Sequence, residues 1–211
     1  MGIRATTLTA ALFVSLISTI SQAQEFSADV VYLDINKPDA AANGSATASH
    51  SSSRIYVSRD KIRLETNGFT GIVLLTDRQE HTSVALQPNK KAYEPIGSGP
   101  SQYFRVQNPA DACETWQSIA DQKITCEKVG PETVNGRETV KYQNKTVSET
   151  AIAAVWIDNA LKFVVKWQSA GTGAELRNIK EEKLAANLFA IPSNYKIASP
   201  QKGSSKGFSK K

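Results

Sequence analysis

Histidine, methionine and cysteine are nearly absent from this sequence: two, one and two among 211 residues. Two cysteines exclude a disulfide-dense scaffold, and twelve glycines exclude a collagen-like repeat. A 40% hydrophobic fraction with 21% charge excludes a wholly disordered chain and fits one globular domain. The two histidines, His50 and His81, leave a base for nucleophilic catalysis scarce. There is no Gly-x-Ser-x-Gly elbow, no His-Glu-x-x-His pair and no Gly-rich loop placed to cradle phosphate. Glu181 and Glu182 are neighbours on an expected strand, so they point to opposite sides and make poor acid–base partners. The expectation is a protein that is not an enzyme and carries neither cofactor nor metal.

Long apolar runs are also missing. The stretch Ala10–Ile17 is shorter than the roughly 20 residues a membrane span needs, and Ser15, Ser18, Thr19 and Ser21 break its surroundings. Arg4 before it and the small residues Ser21 and Ala23 after it predict a secretory signal over residues 1–23. An exported, periplasmic protein is expected. In an oxidising compartment Cys113 and Cys126, thirteen positions apart, read as a disulfide. The competing reading is a zinc site that adds His50 and His81, although the spacing matches no common Cys/His pattern.

What is present is mostly strand periodicity. Phe26–Asp34 alternates, and residues 39–53 form an Ala/Ser/Gly-rich loop. Arg54–Val57 and Lys61–Glu65 read as a hairpin, continued as a meander by Thr70–Thr76, Glu80–Gln87 and Lys91–Glu94. The alternation stops over Ser101–Val106, and Asp111–Ala120 reads as a helix. Strands resume at Ile124–Val129 and run to Val134, turn at Asn135-Gly136 and return over Arg137–Asn144. A hairpin follows over Ala151–Asp158 and Leu161–Gln168, then a strand over Ala174–Glu181 and a short helix at Leu184–Phe189, stopped by Pro192. About ten strands with one or two helices predict an antiparallel, strongly curved sheet capped by a helical segment.

Two strands have no polar face: Gly71–Leu75 and Ala151–Ile157. Each must be covered on both sides, by the core on one and by a second layer or an apolar ligand on the other. The neighbouring stretch looks one-sided, with Leu161, Phe163, Val165 and Trp167 on one face and Lys162 and Lys166 on the other. That separation of aromatics from lysines argues against a nucleic-acid partner, which needs stacking and phosphate contact together.

Several segments, in order and spacing over residues 25–198, resemble the LolA/LolB-like periplasmic lipoprotein-carrier superfamily, in particular its secreted branches. They are Phe26–Val30, Lys61–Glu65, Gly130–Arg137, Val155–Asp158 and the run Leu188-Phe189-Ala190-Ile191-Pro192-Ser193-Asn194-Tyr195-Lys196. The resemblance implies an unclosed antiparallel half-barrel with one or two short helices over its concave side, and an apolar cavity for acyl chains without a cofactor. It suggests a binding or carrier protein for a lipid, an acylated protein or another apolar ligand. The alternative is an envelope structural or protein-interaction module, with a protein partner and a cavity filled by its own side chains. Leu74, Trp156, Phe163 and Trp167 are the residues expected to line the concavity. A monomer is expected, with room for peripheral contact with a membrane.

The net charge of +5 has a local origin. Arg4 leaves with the signal, and Lys202, Lys206, Lys210 and Lys211 stand in a tail over residues 200–211 that has no acidic residue. The remaining body, residues 24–199, is neutral, with 20 basic and 20 acidic residues. Basicity therefore belongs to a Gly/Ser/Lys appendage expected to be disordered. Deleting residues 200–211 is expected to leave the thermal unfolding midpoint unchanged. A lower midpoint would show that the tail packs on the domain.

Overall fold

The computed structural model describes residues 25–34, 53–66, 71–97, 99–120, 124–145 and 152–198. The expected signal (1–23), the tail (200–211) and the 39–53 loop except Ser53 lie outside the described residues. Twelve strands are present among the described residues: β1 (Phe26–Asp34), β2 (Ser53–Ser58), β3 (Lys61–Glu65), β4 (Val73–Asp77), β5 (Thr82–Gln87), β6 (Ala92–Ile96), β7 (Cys126–Val134), β8 (Arg137–Asn144), β9 (Ile152–Asp158), β10 (Val164–Ser169), β11 (Thr172–Glu181) and β12 (Lys196–Ile197). One seven-residue helix, α1 (Cys113–Ile119), stands between β6 and β7. The strands form a single sheet in the order β12-β6-β5-β4-β3-β2-β1-β11-β10-β9-β8-β7. Its two edges do not meet, so the sheet is a curved, unclosed half-barrel. Every neighbouring pair is antiparallel except β12 with β6.

Two meanders make the sheet, and β1 joins them. Strand β1 pairs with β2 on one side and with β11 on the other, so the beginning of the fold locks onto its end. Cross-strand partners point to the same face, so the ladders trace which side chains look inward. One inward row runs Phe26, Val57, Ile62, Thr76, Ser83 and Ile96. Another runs Tyr32, Ala174, Trp167, Val155 and Tyr142. These rows and those between them carry the core, including Phe26, Ala28, Val30, Ile55, Val57, Leu176 and Val155, each at most 2% exposed.

The opposite, convex face explains the strands that are apolar on both sides. Over β4 and β5, Val73, Leu75 and Leu86 form a second apolar cluster with Val84, Tyr93 and Tyr195. The chain after β11 supplies this cover. A 3-10 turn at Ala186–Phe189 is held by Arg63 Nη1 donating to the Leu188 carbonyl at 3.0 Å, and β12 then adds to the β6 edge. Leu184–Phe189 is thus one tight turn and not a helix, because Pro192 follows before a second turn can form. Over β9, Trp156 is roofed by lysines. The ammonium groups of Lys141 and Lys166 lie 4.8 and 4.7 Å from its ring centre, and its indole N–H donates to Glu132 Oε2 at 2.5 Å. The second layer expected for both strands is protein.

Where boundaries differ from the sequence expectation, turn chemistry is the cause. The β9–β10 turn is wound on Asp158, which is 1% exposed and whose Oδ1 accepts from the N–H groups of Ala160 and Leu161. Arg137 Nε donates to the same carboxylate at 2.5 Å. Lys162 then takes a left-handed backbone (φ 53°), and β10 starts at Val164 instead of Leu161. A bulge between Val164 and Lys166 shifts the alternation by one, so Val164 shares the inward face with Trp167, and Phe163, Val164 and Val165 are all buried.

Several carboxylates are held below their ordinary range by the contacts that tie these layers together. Glu132 is lowered from 4.5 chiefly by the Trp156 N–H, with Lys141 assisting. Glu25 is lowered from 4.5 by the Ser58 hydroxyl and the Leu184 N–H, which fasten the C-terminal segment to the start of β1. A depressed folded pKa means the stabilisation is complete above the unfolded value and is lost as pH falls through the folded one. The urea midpoint is therefore expected to be insensitive to these groups above about pH 5 and to fall progressively below about pH 4.5, with a change in tryptophan emission as Glu132 protonates. An unchanged midpoint at pH 3 would contradict these contacts.

Candidate functional site

The connection from β6 to β7 must travel from one side of the sheet to its far edge. Ten inter-strand spacings separate them, about 48 Å along the sheet at 4.8 Å each. The described residues of this connection, 99–120 and 124–125, lie over the concave face and fill it. Tyr103, Phe104, Val106, Ala112, Trp116 and Ile124 join the same core cluster as the inward residues of the strands. Residues 104–106 run beside the start of β10: Arg105 bridges Phe163, Val106 N–H donates to the Lys162 carbonyl at 2.8 Å, and Val164 N–H donates to the Phe104 carbonyl at 3.1 Å. Tyr142 hydroxyl donates to the Pro109 carbonyl, and the Cys113–Cys126 disulfide ties the start of α1 to the start of β7. Closing so short a loop contributes about 3 kcal/mol in the chain-entropy model.

Two arginines clamp the entry of this plug. Arg78, on the turn after β4, donates from Nη2 to the carbonyls of Pro100 and Tyr103. Arg105 donates from Nη1 to the Leu161 carbonyl and lies 5.7 Å over the Phe163 ring. Burial pushes both guanidinium groups below their ordinary value, while Asp60 acts the other way on each. Phe163 in turn meets Phe26 edge-on at 5.3 Å and stacks on Tyr103 at 6.5 Å.

The seam between plug and sheet is incompletely satisfied. The Tyr103 hydroxyl and the Trp167 indole N–H are buried beside one another and have no other protein partner. Burial pushes the Tyr103 hydroxyl well up, while the neighbouring Trp167 N–H pulls it down. Leaving a buried donor unmet costs about 1–3 kcal/mol. At the other end of Tyr103, where Arg78 grips its carbonyl, a cleft of about 260 Å³ opens at the end of α1. Its lining is Thr76, Asp77, Arg78, His81, Ser83, Gly97, Gly99, Ser101 and Ile119. A cleft beside the helix exists, then, with walls of mixed polar and apolar character.

Of the four residues expected to line the concavity, Leu74, Phe163 and Trp167 face inward and Trp156 faces outward, since it pairs with Lys141 and Lys166. Phe163 and Trp167 are buried at 1% and 7% exposure, and Leu74 packs at the rim of the core. None of the four lines the cleft at α1. Tyr103, Arg78 and Arg105 were not singled out from sequence. One signal was legible: Arg105 stands between Phe104 and Val106, a cation inside an apolar stretch that must find backbone carbonyls if it is buried. The bonded sulfurs remove the thiolates from the zinc alternative; His81 is exposed on a left-handed turn, and His50 lies outside the described residues. Among the described residues no group of three or more potential ligands could hold a metal, and no helix there is long and apolar enough to cross a membrane.

The class defined by this geometry is an antiparallel half-barrel plugged by its own edge-to-edge connection. No family model and no curated protein matches the chain. Among solved structures it is similar to a conserved protein from Thermus thermophilus, at 11% identity and TM-score 0.49, over 83% of this chain and 90% of that one. It is also similar to a chain in the Pseudomonas aeruginosa MucA/MucB complex, at 12% identity and TM-score 0.46, over 82% of this chain and 57% of that one. A DUF1329 family protein from Desulfovibrio piger matches at 14% identity and TM-score 0.34, over 81% and 91%. These are distant likenesses of fold.

Gly99 seats the plug on the sheet. A Cβ built there would stand 2.2 Å from Thr76 Oγ1 and 2.8 Å from Ser83 Oγ, both on buried residues. Gly99→Ala is expected to destabilise the domain by about 1–3 kcal/mol, the range for overpacking. Wild-type stability in urea would mean that this loop does not rest on β4 and β5.

Proposed function

We propose that this is a non-enzymatic binding protein of the cell envelope, whose half-barrel takes up a lipid acyl chain or similar apolar ligand where the plug meets the sheet. The observation that carries the reading is the seam at Tyr103 and Trp167: two polar groups buried beside one another in an apolar core, with no other protein partner. An acyl carbonyl or carboxylate supplies the acceptor that the Tyr103 hydroxyl lacks. Half-exposed Tyr32 stands in the same inward row as Trp167 and marks a way in from solvent. An envelope location is supported by the signal-like residues 1–23 and the disulfide. A non-catalytic role is supported by exposed His81 and by the engagement of Glu181 with Arg137 and of Glu182 with Ser27.

The filled concave face favours a second reading, an envelope protein-interaction module that holds no lipid. Native mass spectrometry of the full-length protein, purified from the envelope of its own cell, separates the two. The first reading expects a bound lipid-sized mass, with occupancy lowered at least fivefold by Tyr103→Phe with Trp167→Phe. Repeated absence of any such mass, with a protein partner retained instead, would sink the first and support the second.

A further inference from the structure

The cleft at the end of α1 contains a cation with no carboxylate in direct contact, Asp60 acting on it only through space. Arg78 forms no ion pair among the described residues; its Nη2 is spent on two neutral carbonyls, and its buried Nε has no partner. Asp77 also lines the cleft, but its carboxylate is committed: Lys61 Nζ lies 2.9 Å from Oδ2, and the N–H groups of Gln79 and Glu80 donate to Oδ1. The Asp77–Lys61 pair is neutral, so among the residues that line the cleft Arg78 is the charge that no direct ion pair offsets. Around it stand the hydroxyls of Thr76, Ser83 and Ser101 and the imidazole of His81. Thr76 and Ser83 come from the inward face of β4 and β5, joined by a 3.2 Å hydrogen bond. An Arg among hydroxyl donors, in a recess large enough for a small tetrahedral or planar group, is the chemistry that recognises phosphate or carboxylate.

The cleft and the seam lie at the two ends of one residue, since the Tyr103 carbonyl is held by Arg78 and its hydroxyl meets Trp167. From this juxtaposition the geometry points to an anionic head-group subsite: the ligand is an amphiphile whose phosphate or carboxylate sits with Arg78, His81, Ser83 and Ser101 while its chain follows the plug–sheet seam. This rests on the apolar-ligand reading above and narrows the ligand to anionic amphiphiles. Neutral lipids of the same chain length are expected to bind more weakly.

The test uses the full chain and four probes: dodecanoate, dodecyl phosphate, dodecanol and inorganic phosphate, titrated by calorimetry below their aggregation concentrations. Dodecanoate and dodecyl phosphate are expected to bind at least tenfold more tightly than dodecanol. Arg78→Gln should reduce that ratio to near one. Because Arg78 also holds the plug, Ser83→Ala with His81→Ala provides a second variant, expected to lower the ratio about threefold. Equal binding of all three amphiphiles would overturn the head-group subsite and leave the apolar-ligand reading standing. Binding of inorganic phosphate alone, lost in Arg78→Gln, would support the anion cleft, assign it to free phosphate and overturn the apolar-ligand reading. Failure of all four probes would overturn both.

Discussion

Everything in this fold depends on how the chain returns from β6 to β7. The two strands lie at or next to opposite edges of one sheet, and the sheet's inward face is too apolar to be left in water. A single segment meets both demands by crossing the concave face and burying Tyr103, Phe104, Val106 and Trp116 against it. Curvature shortens the crossing and deepens the concavity that the segment must fill. The disulfide at one end and the arginine clamps at the other define the plug and leave its middle to be held by packing and by a few hydrogen bonds to β10.

The convex face is managed by different means. Across β7 to β11 it is a lattice of charge and aromatic contact, in which Glu132, Lys141, Trp156, Lys166, Glu175 and Arg177 follow one another along the ladders. Exposed pairs of this kind contribute little each, but they keep a broad sheet face wet and discourage edge-to-edge association. Across β4 to β6 the lattice gives way to Val73, Leu75 and Leu86, and there the C-terminal segment is laid down as a cover. The two faces therefore differ in kind: one is closed by a long internal crossing, the other by lysine stems and a terminal strap.

Much of this was legible beforehand. Strand alternation with turn signals at Asn135-Gly136 and Asp158 gave the meanders, and the lone cysteine pair gave the disulfide. The double-sided strands correctly required two covers, although pattern could not say that the covers were Tyr195 and two lysines. The face of Trp156 was missed because a residue flanked by Val155 and Ile157 looks inward-facing unless the register to Lys141 and Lys166 is known. The inward place of Val164 was missed because a bulge shifts alternation without leaving a sequence mark. The plug was read as a break in alternation followed by a short helix over Asp111–Ala120 that caps the sheet. Its contacts are long-range, and the roles of Arg78 and Tyr103 exist only once residues 25 apart in sequence are brought together.

On the proposed uptake of an apolar chain, the plug has to yield along its seam with the sheet. Amide hydrogen exchange with and without dodecanoate reads this directly at Val106 and Val164, whose N–H groups make the plug-to-β10 hydrogen bonds. The account predicts faster exchange at these two amides in the presence of ligand, with the β1 and β11 amides that join the two meanders unchanged. Undiminished protection of Val106 and Val164 at saturating ligand would contradict it.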